Sequence, residues 1–335
     1  MSQYDRDTLV SVVIPNYNSI KTIKMCLDAV VNQTHPTMEI LVVDDGSTDG
    51  SDTIIASYPC QLIKTQKNCG PSTVRNIGAH AAKGEIIFFL DSDVALFPDA
   101  VTNALNEFNL DPTLGSVCGI YDKVPLIRDN LIEDYRCLQA YYWRMSTEGI
   151  VTPGFFSLGA VKKRVFEEVG DFNITLRDSE DAEYGHRISK NYRLLLTSKV
   201  MGRHDDDDQL FIMMSKLFKR ARTRVPLYFS RRKFMKGFET INRSLALAFA
   251  LLTFLTLPLS LLTSWAALLP ISSLVIFCGL DFGQYRFVAK EKGLVFLIYF
   301  TSVHLFVSAY AGLGVIKGMI DWVIDPSFRR EAVMN

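Results

Sequence analysis

From Leu245 to Leu280 the sequence runs for 36 positions without a charged residue. One helix of that length would be about 54 Å long at 1.5 Å per residue, against a hydrocarbon core of about 30 Å. Two spans meeting near Thr263-Ser264 fit better, with Pro258 a tolerated kink in the first. A second apolar stretch, Gly293 to Ile316, is expected to be a third span. Just before the run, Leu210 to Gly237 carries Lys216, Lys219, Arg220, Arg222, Arg224, Arg231, Arg232, Lys233 and Lys236 and no acid. Leu210, Phe211, Met214, Leu217 and Phe218 interleave with them, the pattern of an amphipathic helix on an anionic membrane face. A solvated basic face is the plainer alternative.

The pattern divides the chain into an α/β part (1–209), basic interfacial helices (210–243), transmembrane helices (244–320) and a tail (321–335). Basic residues before the first span, and Arg286, Lys290 and Lys292 before the last, place both on the cytoplasmic side. The expected location is the inner (plasma) membrane, multi-pass, with the N-terminal domain in the cytoplasm. Three spans would then put Arg329 and Arg330 outside, against that rule; a re-entrant or interfacial final segment removes the conflict. Lysine plus arginine (36) balances aspartate plus glutamate (36), so no long-range field invites nucleic acid. The six cysteines form no C-x-x-C pair, which fits a reducing compartment and argues against a zinc site or disulfide frame. Met1 to Leu9 is polar and lacks a signal-peptide apolar core.

Over the first hundred residues, strand and helix patterns alternate. Val10 to Ile14 is a buried strand closed by Pro15; Ile23, Leu27, Val30 and Val31 recur at helical spacing; Glu39 to Val43 is a second strand. A short crossover between two such strands is a βαβ unit, so a mostly parallel, doubly wound α/β sheet is expected. Leu62-Ile63-Lys64 is a third strand, and Ser72 to Ala82 a helix carrying Arg75 and Asn76. Ile86 to Leu90, five apolar residues in a row, read as a strand buried on both faces. Later elements are looser: a strand over Val117–Tyr121, a helix over Leu131–Thr147, a strand over Phe155–Ala160, and a helix opened by Ser179-Glu180-Asp181. Tyr192–Leu196 and Lys199–Met201 read as two short strands.

Asp91-Ser92-Asp93 follows the central strand. In open α/β sheets ligands bind beyond the carboxyl ends of the strands, so D-x-D there offers oxygen ligands to a hard cation that completes its shell with phosphates. A solvated turn reads the same way. Four adjacent carboxylates, Asp205 to Asp208, repel one another and read as a mobile loop or lid rather than a second metal site. Gly312-Leu313-Gly314 lacks the surrounding βαβ unit of a dinucleotide fingerprint. In Gly314-Val315-Ile316-Lys317-Gly318 the lysine weakens a helix-packing reading.

Ser11 to Asn18, Val42 to Asp49, Gly70-Pro71 with Arg75-Asn76, Asp91-Ser92-Asp93 and Glu180-Asp181 occur in the order of a known family. Over about residues 10 to 205 the chain resembles family 2 glycosyltransferases, inverting enzymes with a GT-A type fold. The resemblance implies a nucleotide-sugar donor, a UDP- or dTDP-sugar, and Mg²⁺ or Mn²⁺. Pro15, Tyr17 and Asn18 would line the base site, with Tyr17 stacking on the base; Asp45 would accept from a base N–H, and Asp44 would support that loop. Turn and helix capping are the alternatives for Asp44, Asp45 and Asp49, and Asp49 reads as a cap. Asn76 is a ligand-side amide or a packing residue; Arg75 reads as a solvated helix residue. Asp93 would ligate the metal, with Asp91 and Ser92 on sugar or ribose hydroxyls or Asp91 in the metal's outer shell; His204 is a further candidate ligand. Asp181 would be the general base and Glu180 would orient sugar or acceptor. The membrane segment suggests a lipid-linked or glycolipid acceptor in envelope polysaccharide assembly. A processive polysaccharide synthase is the alternative, though its Gln-x-x-Arg-Trp signature is absent from the sequence; a non-catalytic sugar-binding scaffold is the other.

Overall fold

The computed structural model describes residues 3–176, 180–231, 240–326 and 328–329. In chain order its first elements are β1 (Val10–Asn16), α1 (Ile23–Val31), β2 (Met38–Asp44), α2 (Ser51–Ile55), β3 (Gln61–Lys64), α3 (Pro71–Ala81) and β4 (Ile86–Leu90). Then come β5 (Val94–Leu96), α4 (Ala100–Leu110), β6 (Leu114–Tyr121), α5 (Leu131–Met145), β7 (Gly149–Val151), β8 (Leu158–Lys162), α6 (Lys163–Val169), α7 (Glu180–Ile188) and β9 (Arg193–His204). The last helices are α8 (Leu210–Arg231), α9 (Ile241–Thr256), α10 (Leu268–Leu280) and α11 (Phe282–Ile324). Two compact units result, Met1–Arg128 with Trp143–Asp206, and Asp129–Tyr142 with Asp207–Asn335. The short segment Asp129–Tyr142, read from sequence as part of the α/β region, groups with the C-terminal helices.

The first unit is a nine-stranded sheet in the order β3-β2-β1-β4-β8-β6-β9-β5, with β7 on β9. β1, β2, β3 and β4 are parallel, as the βαβ pattern predicts, and so is β6 with β9. β8 enters antiparallel between β4 and β6, and β5 and β7 pair antiparallel with β9. The α/β reading therefore holds, with a mixed sheet beyond β4. β4 is buried at all five positions because β1 and β8 flank it and both faces are covered. The two short strands expected over 192–201 are one strand, β9, whose register with β6 shifts between Gly119 and Ile120. α3 sits hard against β1: a Cβ at Gly78 would fall 2.3 Å from Val13 Cγ1, so only glycine fits there.

In the second unit, two helices are long and apolar enough to cross a membrane, Ile241–Leu261 and Phe282–Ile324; 22% and 39% of their most apolar windows are buried. The segment Ser264–Leu280 is helical and apolar but shorter. The break between the first two lies at Thr263, whose hydroxyl caps the next turn through Ala266 N–H. Pro258 lies within the span Ile241–Leu261, where α9 passes into the 3₁₀ turn Leu257–Leu261. Gly293, at φ +81°, divides α11 into two helices at the position where a third span was expected to begin. Arg232, Lys233 and Lys236 of the basic segment, and Arg330 of the tail, lie outside the described residues.

The glycine pair read as a weak packing motif is in fact a helix–helix seam. A Cβ on Gly314 would lie 2.4 Å from the Phe218 carbonyl oxygen of α8, and one on Gly318 would lie 2.6 Å from that of Arg222. Spacings of four on both helices bring the two backbones together, the geometry small-xxx-small motifs allow. Lys317 does not obstruct the seam because it donates to Asp321, which also pairs with Arg222 at 2.5 Å. Gly318→Leu is expected to cost at least the 1–3 kcal/mol typical of overpacking, about that or more, because the obstacle is backbone. Gly279→Ala, with open space around its Cβ, should leave thermal unfolding in detergent unchanged or raise it.

Candidate active site

The strand registers gather the sequence motifs at one edge. Asn16 stands opposite Asp44 in the β1–β2 ladder, and Val13 opposite Phe89 in the β1–β4 ladder. The residues that follow, Tyr17, Asp45 and Asp91, therefore emerge together where β1 has β2 on one side and β4 on the other. That is the switch point at which open α/β sheets bind ligands. A cavity of about 340 Å³ opens there, and Pro15, Tyr17, Asp45, Arg75, Asp91, Ser92 and Asp93 are among its lining residues.

On the β1–β2 side the polar side chains hold the loops. Asp44 accepts from Asn16 Nδ2 at 2.7 Å and from Ser47 N–H at 3.3 Å, which leaves it a buried brace. Asn16, which the sequence reading passed over, also reaches the Ser47 and Ser51 hydroxyls. Asn18 adopts φ +51° and accepts from Thr48 N–H, so its side chain is a loop tie rather than a free ligand group. Asp49 accepts from Ser51 N–H and hydroxyl and from Ile20 N–H. Asp45 accepts from Cys69 N–H and Gly70 N–H, both at 2.8 Å, and from the Thr65 hydroxyl. These donors fix its carboxylate at the cavity wall. Tyr17 is 49% exposed, its ring open to a stacking partner. Ser92 shares a 2.7 Å hydrogen bond with Ser19.

The centre of the site is a residue that sequence reasoning placed in solvent. Arg75 is 3% exposed. Its Nη2 bonds Asp91 at 2.7 Å; its Nη1 bonds Glu180 at 2.8 Å and lies 3.4 Å from Asp181. One guanidinium thus joins the end of β4 to the start of α7. Burial works against its charge, but the three carboxylates outweigh that and keep it fully ionised. One cation cannot neutralise three carboxylates gathered around it. Burial accordingly raises Asp181, against Arg75 and with the help of Glu180 and Asp91, to about 7. Asp91 is raised as well, by burial and by Asp93, with Arg75 opposing. Asp181 Oδ2 accepts from Phe156 N–H at 3.0 Å, while Oδ1 has no hydrogen-bond donor among the described residues. Gly185 makes room for this: a Cβ there would fall 1.9 Å from Gly154 N.

Asn76 is a correction. Its Nδ2 donates to Phe172 O and its Oδ1 accepts from Phe172 N–H, so a buried backbone segment consumes the amide that was a candidate ligand group. Its role is to pin Phe172 in the cluster with Phe89, Phe156 and Tyr184 behind the site.

At the other end, His204 Nε2 lies 3.5 Å from Asp93 Oδ2 and its Nδ1 lies 3.6 Å from Asp206 Oδ2. Burial opposes its protonation, but Asp93, Tyr121 and Asp206 carry its pKa well above the ordinary imidazole value. The acidic run is not the mobile loop that repulsion suggested. Asp205 N–H donates to Asp93 O, Asp206 flanks His204, and Asp207 pairs with Lys216 at 2.5 Å. Among the described residues no three His, Cys, Asp or Glu side chains form a ready-made metal shell. Asp93 Oδ1 is nevertheless buried without a donor. That oxygen, with Asp91 beside it, fits a hard cation whose remaining ligands come from a bound diphosphate.

The fold and the carboxyl-edge cavity together define a GT-A type nucleotide-sugar enzyme domain. Residues 11–169 match the model for glycosyl transferase family 2, so the chain carries a glycosyltransferase domain of that family. It is 28% identical over 218 residues to glycosyltransferase GlyG of Streptococcus pneumoniae, covering 59% of this chain and 69% of that protein. It is 40% identical over 116 residues to chondroitin synthase of Escherichia coli, covering 33% of this chain but only 17% of that protein. The matched region is thus related to polysaccharide synthases and to teichoic acid glycosyltransferases. In fold, a mannosyltransferase from Pyrobaculum calidifontis, solved with GDP-Man and Mn²⁺, is similar with a TM-score of 0.57 at 18% identity; the match covers 95% of this chain and 87% of that one.

Proposed function

We propose that the protein is a membrane-held, inverting transferase that moves a sugar from a nucleoside-diphosphate donor to a lipid-linked acceptor, with Mg²⁺ or Mn²⁺ as cofactor. The observation that carries this is the Arg75 bridge, which ties the D-x-D carboxylate to the base-side carboxylates in one buried network. Tyr17 stacks on the base and Asp45 receives a base N–H at the cavity wall. Asp93, with Asp91 and His204, holds the cation, which supplies Lewis-acid neutralisation of the departing diphosphate. His204 would have to be neutral to ligate the cation. Asp181, whose Oδ1 accepts no hydrogen bond among the described residues, takes the proton of the acceptor hydroxyl as the hydroxyl oxygen attacks the anomeric carbon from the face opposite the leaving group. A single displacement of this kind inverts the anomeric centre. Glu180, bound to Arg75, orients the acceptor side.

The membrane part of the reading rests on the two long apolar helices and the basic α8 that precedes them. Leu261, Trp265 and Val295 are each at least 80% exposed, which suits lipid better than water. Basic flanks support a cytoplasmic location for the transferase domain at the inner membrane. The relatedness to polysaccharide synthases covers a small part of those proteins, so it supports donor chemistry rather than processive synthesis. Asp91 and Asp181 joined through Arg75, with Asp93 beside them, argue against a non-catalytic scaffold.

Asp93→Ala is expected to remove the Mn²⁺ dependence of nucleotide binding, weakening calorimetric affinity with Mn²⁺ by tenfold or more. Affinity unchanged from wild type with Mn²⁺ would contradict the cation assignment.

A further inference from the structure

Beside the nucleotide cavity stands a column of three side chains whose outer member has no assigned task. The Tyr121 ring stacks on His204 with centroids 4.5 Å apart and planes 3° from parallel. The Arg144 guanidinium carbon lies 3.8 Å from the Tyr121 centroid and 5.4 Å from that of Phe155. Two groups so close to one ring must take opposite faces, so Arg144 and His204 sandwich Tyr121 about 8 Å apart. The tyrosine hydroxyl is tied to Ser157, which fixes the ring.

The guanidinium is left without an anion. Nη1 is buried with no hydrogen-bond acceptor among the described residues, and no carboxylate there forms an ion pair with it. Arg144 is half-buried, and the other cations at the site are matched: Arg75 has three carboxylates and His204 has two. Stacking on an aromatic face lowers the cost of holding a desolvated guanidinium. It leaves the donor fork without the oxyanion that its geometry fits.

The position sets Arg144 apart from the cavity at the β1–β4 edge. Neither Arg144, Tyr121 nor Phe155 lines the nucleotide cavity, which runs from Pro15 to Asp93. The column instead links the two ends of the reaction centre: His204 faces Asp93, and Phe155 precedes Phe156, whose N–H holds Asp181. We propose that Arg144 is a phosphate-binding residue for the acceptor, gripping a phosphate carried near the hydroxyl to be glycosylated. This rests on the transferase reading above and narrows its acceptor to phosphate-bearing molecules.

The test uses the purified full chain in detergent and three probes measured by calorimetry: farnesyl phosphate, farnesol and methyl phosphate. Wild type should bind farnesyl phosphate at least tenfold more tightly than farnesol. Arg144→Ala should lose at least tenfold for farnesyl phosphate, and Arg144→Lys should lose less, since it keeps the charge but not the fork. An equal loss for methyl phosphate marks the phosphate group alone as the determinant; a loss confined to farnesyl phosphate marks a lipid headgroup. Nucleoside diphosphate affinity with Mn²⁺ should stay within twofold in both variants. Unchanged farnesyl phosphate binding in Arg144→Ala, or a tenfold loss of nucleotide affinity instead, overturns the proposal. If Arg144→Ala fails to fold, the Arg144→Lys comparison carries the test. Failure of wild type to bind any nucleoside diphosphate would sink the transferase reading itself, a result separable from an Arg144 residue without effect.

Discussion

Asp181→Asn is expected to lower sugar transfer by about 10²–10⁴-fold, the usual contribution of a positioned base, while nucleotide affinity with Mn²⁺ stays within about twofold of wild type. The amide keeps the shape and can still accept from Phe156 N–H, but it cannot take a proton. Stability should move the other way. The folded pKa of Asp181 lies at about 7, above its ordinary 3.8, so the native state holds the extra proton between those values. Its contribution to stability is present below the unfolded pKa and is lost as pH rises through the folded one. Asparagine does not titrate. The melting temperature of the variant relative to wild type should therefore be higher at pH 8 than at pH 5. Full transfer with Asn at 181 would sink the base assignment, whatever the melting data show.

Arg75→Ala should be the most damaging single change in the first unit. It strands Asp91, Glu180 and Asp181, all now without their common cation. Removing one partner of a buried ion pair typically costs about 3–5 kcal/mol because a buried charge is left uncompensated. The loss should be smaller at pH 5, where protonation relieves the stranded carboxylates, than at pH 8; thermal unfolding in detergent reads both. Arg75→Lys keeps one charge but cannot fork to Asp91 and Glu180 at once, so it should fold yet transfer poorly. An Arg75→Ala protein as stable as wild type at pH 8 would mean the three carboxylates are not held together as described.

Much of the donor side was legible because its motifs sit at strand ends, where the sheet leaves little choice of place. Ile86–Leu90 could be read as a central strand, and Asp91 and Asp93 then had to lie at its carboxyl edge. Arg75 was not legible. A buried arginine inside an amphipathic helix looks like a solvated one until its partners are known, and those lie 16 and 105 residues further along the chain. Asn76 failed for the same reason: its partner, Phe172, is 96 residues away. The acidic run misled through a local rule, mutual repulsion, that His204 and Lys216 override in the folded chain. The glycine pair of α11 misled because a lysine between the glycines weakened the packing reading, whereas in the fold Asp321 engages it. In each case a tertiary partner decided what the local pattern left open.

The direct measurement is the pH dependence of kcat/KM, read from nucleoside diphosphate release between pH 5 and pH 9. A rise governed by one ionisation with a midpoint near 7, absent in Asp181→Asn, is the expected result, since kcat/KM reports the base in the free enzyme. A kcat/KM that is flat from pH 5 to pH 8, or that falls across that range, would contradict a proton-accepting carboxylate at Asp181.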